Sequence, residues 1–189
     1  MNLLALWPWL CYGWLIGEAA LALFMRTWKS GGRIRDRGSL LLVWIAITAS
    51  FMGSDWVQQL VPARIFGGAD WLRPLSFGLL VTGLTIRAVA VITLGRAFSV
   101  NVAIRKSQTV KRNGLYRYVR HPAYLGMELA LLAVGLHSRN WAVLLWMVTP
   151  PTLALIYRIH VEEALLHEAF GEEYAAYSRV TRRMIPGVF

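Results

Sequence analysis

Runs of apolar residues long enough to cross a bilayer constrain this chain more than any other feature. Five are present, at about 3–25, 39–55, 72–94, 122–138 and 140–159. About 20 such residues suffice for a helix to span the hydrocarbon core. Inside lipid no water satisfies the backbone, so a spanning segment of this kind folds as a helix, with its hydrogen bonds made internally. The runs therefore predict an all-α integral membrane protein with about five transmembrane helices.

Composition agrees. The sequence is 57% hydrophobic and only 16% charged, with a mean hydropathy of +0.47. Most of its nine tryptophans fall near span ends, where aromatic belts sit. A net charge of +10 raises nucleic acid as a partner, but the basic residues lie in short segments between apolar runs, so no nucleic acid is expected. Arg26, Lys29, Arg33, Arg35 and Arg37 occupy the first loop, and Arg96 to Arg120 the third. The C-terminal segment adds Arg158, at the end of the last span, and Arg179, Arg182 and Arg183, whereas Arg64, Arg73 and Arg139 belong to the other side. With five spans the positive-inside rule places the N-terminus outside and the C-terminus in the cytoplasm. A single cysteine, Cys11, excludes an intramolecular disulfide. The N-terminal run reads as a span rather than a signal peptide, being long and without a basic leader.

The last apolar run does not stop at the membrane. Its pattern continues from Trp141 through Arg158, Glu162 and Leu166 to Phe170, and Gly171 offers a C-cap. This predicts one helix protruding into the cytoplasm, bent at Pro150 and Pro151. A short amphipathic helix with Tyr174 and Tyr177 follows, then a tail from Thr181 to Phe189.

Two constellations carry chemistry. The first lies in LGRAFSVNVAIRKSQTVKRNGLYRYVRHPAYLG, residues 94–126. Asn113-Gly114 marks a turn, and Arg120-His121-Pro122 opens the fourth span with proline at its first position. Helix N-termini favour anions, and Tyr116 and Tyr124 flank this one. Read alone, the segment is equally a basic, aromatic membrane anchor. The second constellation is Arg158, Glu162 and Glu163. Arg158 and Glu162 are four residues apart on one helix face, which suits either a site or a surface ion pair. Glu18, Arg87 and Glu128 lie at membrane depth, where an ionisable group is a functional candidate by default. Glu18 and Arg87 could instead pair structurally. His137, His160 and His167 form no metal-ligand spacing, and no metal is expected. Nucleophile-elbow, Walker and Rossmann patterns are missing.

RNGLYRYVRHPAYLG, followed by RIHVEEALLHEAFGEEYAAYSRVTRRMIP, resembles the isoprenylcysteine carboxyl methyltransferase family of integral membrane enzymes. The resemblance covers about 94–186 and includes the GxYxxxRHPxYxG run, the RxxxEE step and the FGEEYxxY run. It implies a single membrane methyltransferase domain over 1–189, with N-terminal spans in 1–93 and the cofactor-binding and catalytic region in 94–189. It implies S-adenosylmethionine as cofactor, held at Gln108, Thr109, Val110, Lys111, Tyr116, His121, Pro122, Ala123, Tyr124 and Glu162, with Asn101 as a further contact. Arg158 matches the arginine the family assigns to substrate and is the expected catalytic residue. The family often has histidine where Gln108 stands.

The expectation is methyl transfer from S-adenosylmethionine to the carboxylate of a lipid-like or isoprenylcysteine-type substrate, at the cytoplasmic face of a membrane. Oligomeric state is not legible. Phospholipid amine N-methyltransferases and NADPH-dependent sterol reductases share the RHPxYxG-like architecture. An amine acceptor would need a base, which Arg158 cannot be. A non-enzymatic scaffold or small transporter would use the basic loops for topology and Arg158–Glu162 as a structural pair.

Overall fold

The computed structural model describes residues 3–24, 38–61, 64–65, 69–95 and 110–185. Its described secondary structure is helical. A short 3-10 turn, Leu3–Leu6, leads into α1 (Trp7–Phe24). Then come α2 (Ser39–Leu60), α3 (Leu72–Leu94), α4 (Pro122–His137), α5 (Trp141–Phe170) and α6 (Glu172–Val180). Helices α2, α3 and α5 are long and apolar enough to cross a membrane, and α4 is a shorter apolar helix of 16 residues.

Local chemistry sets the boundaries. Pro122 opens α4, where a missing N–H costs nothing. Gly171, at φ 52, ends α5 and turns the chain into α6. Asn140 caps α5, its Oδ1 accepting from the Ala142 and Val143 amides at 2.8 and 3.3 Å. Its Nδ2 donates to the Val61 carbonyl at 2.7 Å, and the Ile65 amide donates to the Arg139 carbonyl at 2.8 Å. The α2–α3 and α4–α5 connections therefore meet at one end of the bundle.

Helix α2 runs five residues past the expected end at Asp55. Gly53 does not break it, because it lies against the Trp146 ring of α5, where a Cβ would come within 2.7 Å of the indole nitrogen. Ser54 donates back to the Phe51 carbonyl at 2.8 Å. Helix α5 is continuous through Pro150 and Pro151. Pro150 has no N–H for the Trp146 carbonyl, and the Ser50 hydroxyl of α2 donates to that carbonyl instead, at 3.0 Å.

Helices α3 and α4 touch backbone to backbone. A Cβ on Gly83 would lie 2.6 Å from the Gly126 carbonyl oxygen, and one on Gly126 would lie 2.7 Å from the Arg87 nitrogen. Small residues permit this approach, the usual device where lipid removes any hydrophobic drive between helices. Trp14, Val43, Ile47, Leu80, Met127, Leu131, Met147 and Leu155 fill the space between α1, α2, α3, α4 and α5. Within the bundle Glu18 of α1 pairs with Arg87 of α3 through two short hydrogen bonds. Trp14 also donates to Glu18, at 3.1 Å, and Arg87 donates to the Ala123 carbonyl of α4 at 3.0 Å. One buried ion pair thus ties three helices together below the start of α4.

Candidate functional site

The site lies at the opposite end of the bundle from Asn140, where α4 starts and α5 leaves the apolar core. Gly114, at φ 57, opens a 3-10 turn, Gly114–Arg117, that brings the chain back to α4. Tyr116 is buried there with Ala90 and Ala123, and its hydroxyl donates to the Ala90 carbonyl at 3.4 Å. Burial, followed by the nearby Glu162 carboxylate, raises its pKa, so the phenol stays neutral.

His121 is 5% exposed, its ring stacked on Tyr124 at 5.4 Å between centroids. Glu163 Oε1 lies 3.3 Å from His121 Nε2, and Glu162 Oε2 lies 3.8 Å from Nδ1. The Tyr124 hydroxyl joins the two expected partners on α5: it donates to Glu162 Oε2 at 2.7 Å and accepts from Arg158 Nε at 2.8 Å. Arg158 also donates to the Ser39 hydroxyl at the start of α2, at 3.1 Å. Arg158 is only 3% exposed, so it is no surface ion-pair partner. One turn deeper on α4, Glu128 Oε2 accepts from Thr152 at 3.0 Å, while its Oε1 is buried without a hydrogen-bond partner. A polar seam therefore runs between α4 and α5, from His121 inward past Tyr124 to Glu128.

Glu163, adjacent to the expected ligand Glu162, is buried and holds the corner together. It accepts from Arg120 Nε at 2.8 Å and Arg183 Nε at 2.9 Å, besides facing His121. The tail pairs with the same corner. Amides of Arg120 and His121 donate to the carbonyls of Arg182 and Arg183 at 2.7 and 2.8 Å, beside a parallel bridge between Val119 and Arg182. The tail thus occupies two backbone donors just ahead of the α4 start. Arg120 also donates to the carbonyls of Ser178 and Thr181. Helix α6 closes the group from the side. Tyr177 donates to the Tyr116 carbonyl at 2.7 Å, and burial pushes its phenol up to about 12.

Of the expected site residues, Tyr124, Arg158 and Glu162 meet in one hydrogen-bonded group, and His121 stacks on Tyr124 with its Nδ1 3.8 Å from Glu162. Pro122 and Ala123 are buried beneath it, Ala123 through its contact with Arg87. Val110 is half-buried and Lys111 exposed. Gln108, Thr109 and Asn101 lie outside the described residues. Sequence reasoning missed the parts played by Glu163, Arg120, Arg183 and Ser39. The second glutamate of the RxxxEE step was the one available signal, and the arginines were absorbed into the topology argument. Among the described residues no cluster of His, Cys, Asp or Glu could hold a metal ion.

Fold and site together define a class: a helical integral membrane protein with a buried ionic constellation at one end of its bundle. Residues 76–168, just under half of the chain, match the model of the isoprenylcysteine carboxyl methyltransferase (ICMT) family. It is 25% identical over 138 residues to a protein-S-isoprenylcysteine O-methyltransferase of Tribolium castaneum, covering 70% of this chain and 49% of that one. It is 32% identical over 133 residues to the cobalt-zinc-cadmium resistance protein CzcN of Cupriavidus metallidurans, covering 69% of this chain and 60% of that one. The solved structure of the eukaryotic intramembrane Ras methyltransferase ICMT superposes with a TM-score of 0.64 at 22% identity, over 77% of this chain and 52% of that one, which shows a shared fold. The chain thus spans about half the length of the Tribolium protein and of the solved structure.

Proposed function

We propose that this protein is an S-adenosylmethionine-dependent methyltransferase that esterifies the carboxylate of a lipid-like, isoprenylcysteine-type substrate at a membrane. The observation that carries this reading is the Tyr124 hydroxyl, which links the half-exposed Glu162 to the buried Arg158 and so sets two opposite charges on one seam. The family supports methyl transfer, and the Tribolium relative's name supports a prenylated acceptor.

The residues present fit such a cofactor. Glu162 Oε1 takes no hydrogen bond from the described residues, on a side chain 29% exposed beside the His121–Tyr124 stack. A carboxylate so placed can accept from ribose hydroxyls or an ammonium group, and the aromatic pair can lie against a cation. Val110, Lys111 and, outside the described residues, Gln108 and Thr109 are proposed as the remaining contacts. When bound, S-adenosylmethionine supplies an electrophilic methyl group. An acceptor carboxylate is ionised at neutral pH and needs no base from the protein. Arg158 orients it, since a planar guanidinium holds a carboxylate through parallel bonds. Tyr124 and Ser39 fix the guanidinium in turn. Alignment and exclusion of water supply the rest of the rate.

The proposal includes five spans, with the N-terminus outside and the site cytoplasmic. Arg112, Arg117, Arg120, Arg158 and the α6–tail arginines share the site end, with Arg64, Arg73 and Arg139 at the other. That division supports the charge-rule orientation.

The test is calorimetric titration of the purified protein in nanodiscs with S-adenosylhomocysteine, followed by a methyl-acceptor screen of prenylcysteine analogues and amino-lipids. Saturable binding, weakened about ten-fold or more by Glu162→Ala, and methyl ester formation are expected. No binding by the wild-type protein would sink the proposal.

A further inference from the structure

Tyr174 in α6 is the most buried tyrosine of the described chain, at 2% exposure, and its hydroxyl is buried with no hydrogen-bond partner. Burying a hydroxyl unpaired is unfavourable, and such groups in native proteins call for a specific reason. Packing does not provide it. The ring meets the His167 ring edge-on at 4.8 Å and the Tyr177 ring at 5.9 Å, contacts a phenylalanine would make equally well. Tyr177 provides the contrast. It is also buried, one turn further on the same helix, but its hydroxyl is satisfied by the Tyr116 carbonyl at 2.7 Å.

The surroundings of Tyr174 are those of the site. The charges that act on its phenol are Glu163, Glu162 and Arg120, the groups that frame His121. Burial first, and then the two carboxylates, raise its pKa, so the hydroxyl keeps its proton and can donate. The protein thus holds a neutral donor, without a partner among the described residues, on a helix that Tyr177 fastens to Tyr116 at the edge of the site.

We infer that the Tyr174 hydroxyl is a cofactor-binding group, which donates a hydrogen bond to an acceptor atom of S-adenosylmethionine when it is bound. This rests on the methyltransferase reading above and extends its site to α6. The bound state then satisfies a donor that the free state leaves unmet, so the contact favours binding by more than an ordinary exchange with water.

The experiment compares wild type, Tyr174→Phe and Tyr177→Phe in nanodiscs, by S-adenosylhomocysteine titration and by thermal unfolding without ligand. Tyr174→Phe is expected to weaken binding about five- to ten-fold while unfolding at the wild-type temperature or higher, because it removes only an unpaired hydroxyl. Tyr177→Phe is expected to lower the unfolding temperature, since it breaks a made bond. Wild-type affinity in Tyr174→Phe overturns the inference. So does a lowered unfolding temperature of Tyr174→Phe without ligand, which would give the hydroxyl a structural partner. If the wild-type protein itself fails to bind, the methyltransferase reading has failed and this inference falls with it.

Discussion

Replacing Glu163 with alanine should loosen the whole corner at the start of α4. The carboxylate accepts from Arg120 and Arg183 at 2.8 and 2.9 Å and faces His121 at 3.3 Å. The side chains of Arg120 and Glu163 are each 10% exposed, whereas that of Arg183 is 31% exposed and better solvated. Removing one member of a buried pair leaves a charge without compensation, at a cost of about 3–5 kcal/mol. The Arg183 contribution is small by comparison because water screens it. A net loss of about 3 kcal/mol is expected, which for a chain of this size lowers the unfolding temperature by about 6–12 °C. Thermal unfolding in nanodiscs measures this directly. The mechanism is tested by a cycle with Arg183→Ala. Both substitutions remove the same bond, so the double variant should lose less than the sum of the single losses, by about 0.5 kcal/mol or more. Unfolding of Glu163→Ala within about 1 °C of wild type, or strict additivity in the cycle, would refute the role of Glu163 in holding Arg120 and Arg183 together.

Gly126→Ala should destabilise by about 1–3 kcal/mol, because its Cβ would press on backbone atoms of Gly83 and Arg87 that have no flexible end to move aside. Gly78→Ala on α3, facing open space, serves as the control, and equal unfolding temperatures for the two would disprove the close crossing. Arg158→Lys should abolish most methyl transfer to a carboxylate acceptor while leaving S-adenosylhomocysteine affinity within about a few-fold of wild type, since lysine keeps the charge but not the planar fork; surviving turnover would count against the assigned role. In a Cys11→Ser background, Ser30→Cys and Gly68→Cys should label from opposite sides of the membrane, and labelling from one side would end the five-span topology.

The helices were legible because lipid forces spanning segments to advertise themselves. The same holds where one residue has one dominant use, as Pro122 at a helix start and Gly171 at a helix end. His121, Tyr124, Arg158 and Glu162 were legible through the family pattern, and the structure brings them together. Their wiring was not legible. A one-turn spacing put Arg158 and Glu162 on the same face but gave no hint that a hydroxyl from α4 joins them. Arg120 and Arg183 read as loop charges, because pairing between Val119 and Arg182 leaves no local periodicity. The Ser50 bond to the Trp146 carbonyl was hidden for a related reason: the proline announces the missing donor, and nothing in the sequence announces its replacement.

The proline pair in α5 also has a mechanical meaning. Two adjacent residues without N–H groups make this level the most compliant along the helix, and a side chain from α2 steadies it on one flank. Below the prolines the helix is anchored by the Asn140 cap; beyond them lie Arg158 and Glu162. From Pro150 to Glu162 the rise is about 18 Å, so a bend of about 10° at the prolines sweeps the glutamate sideways by about 3 Å. That displacement is as long as a hydrogen bond. The helix is in this sense a pivoted arm, able to part the seam between α4 and α5 while its anchored end stays where it is.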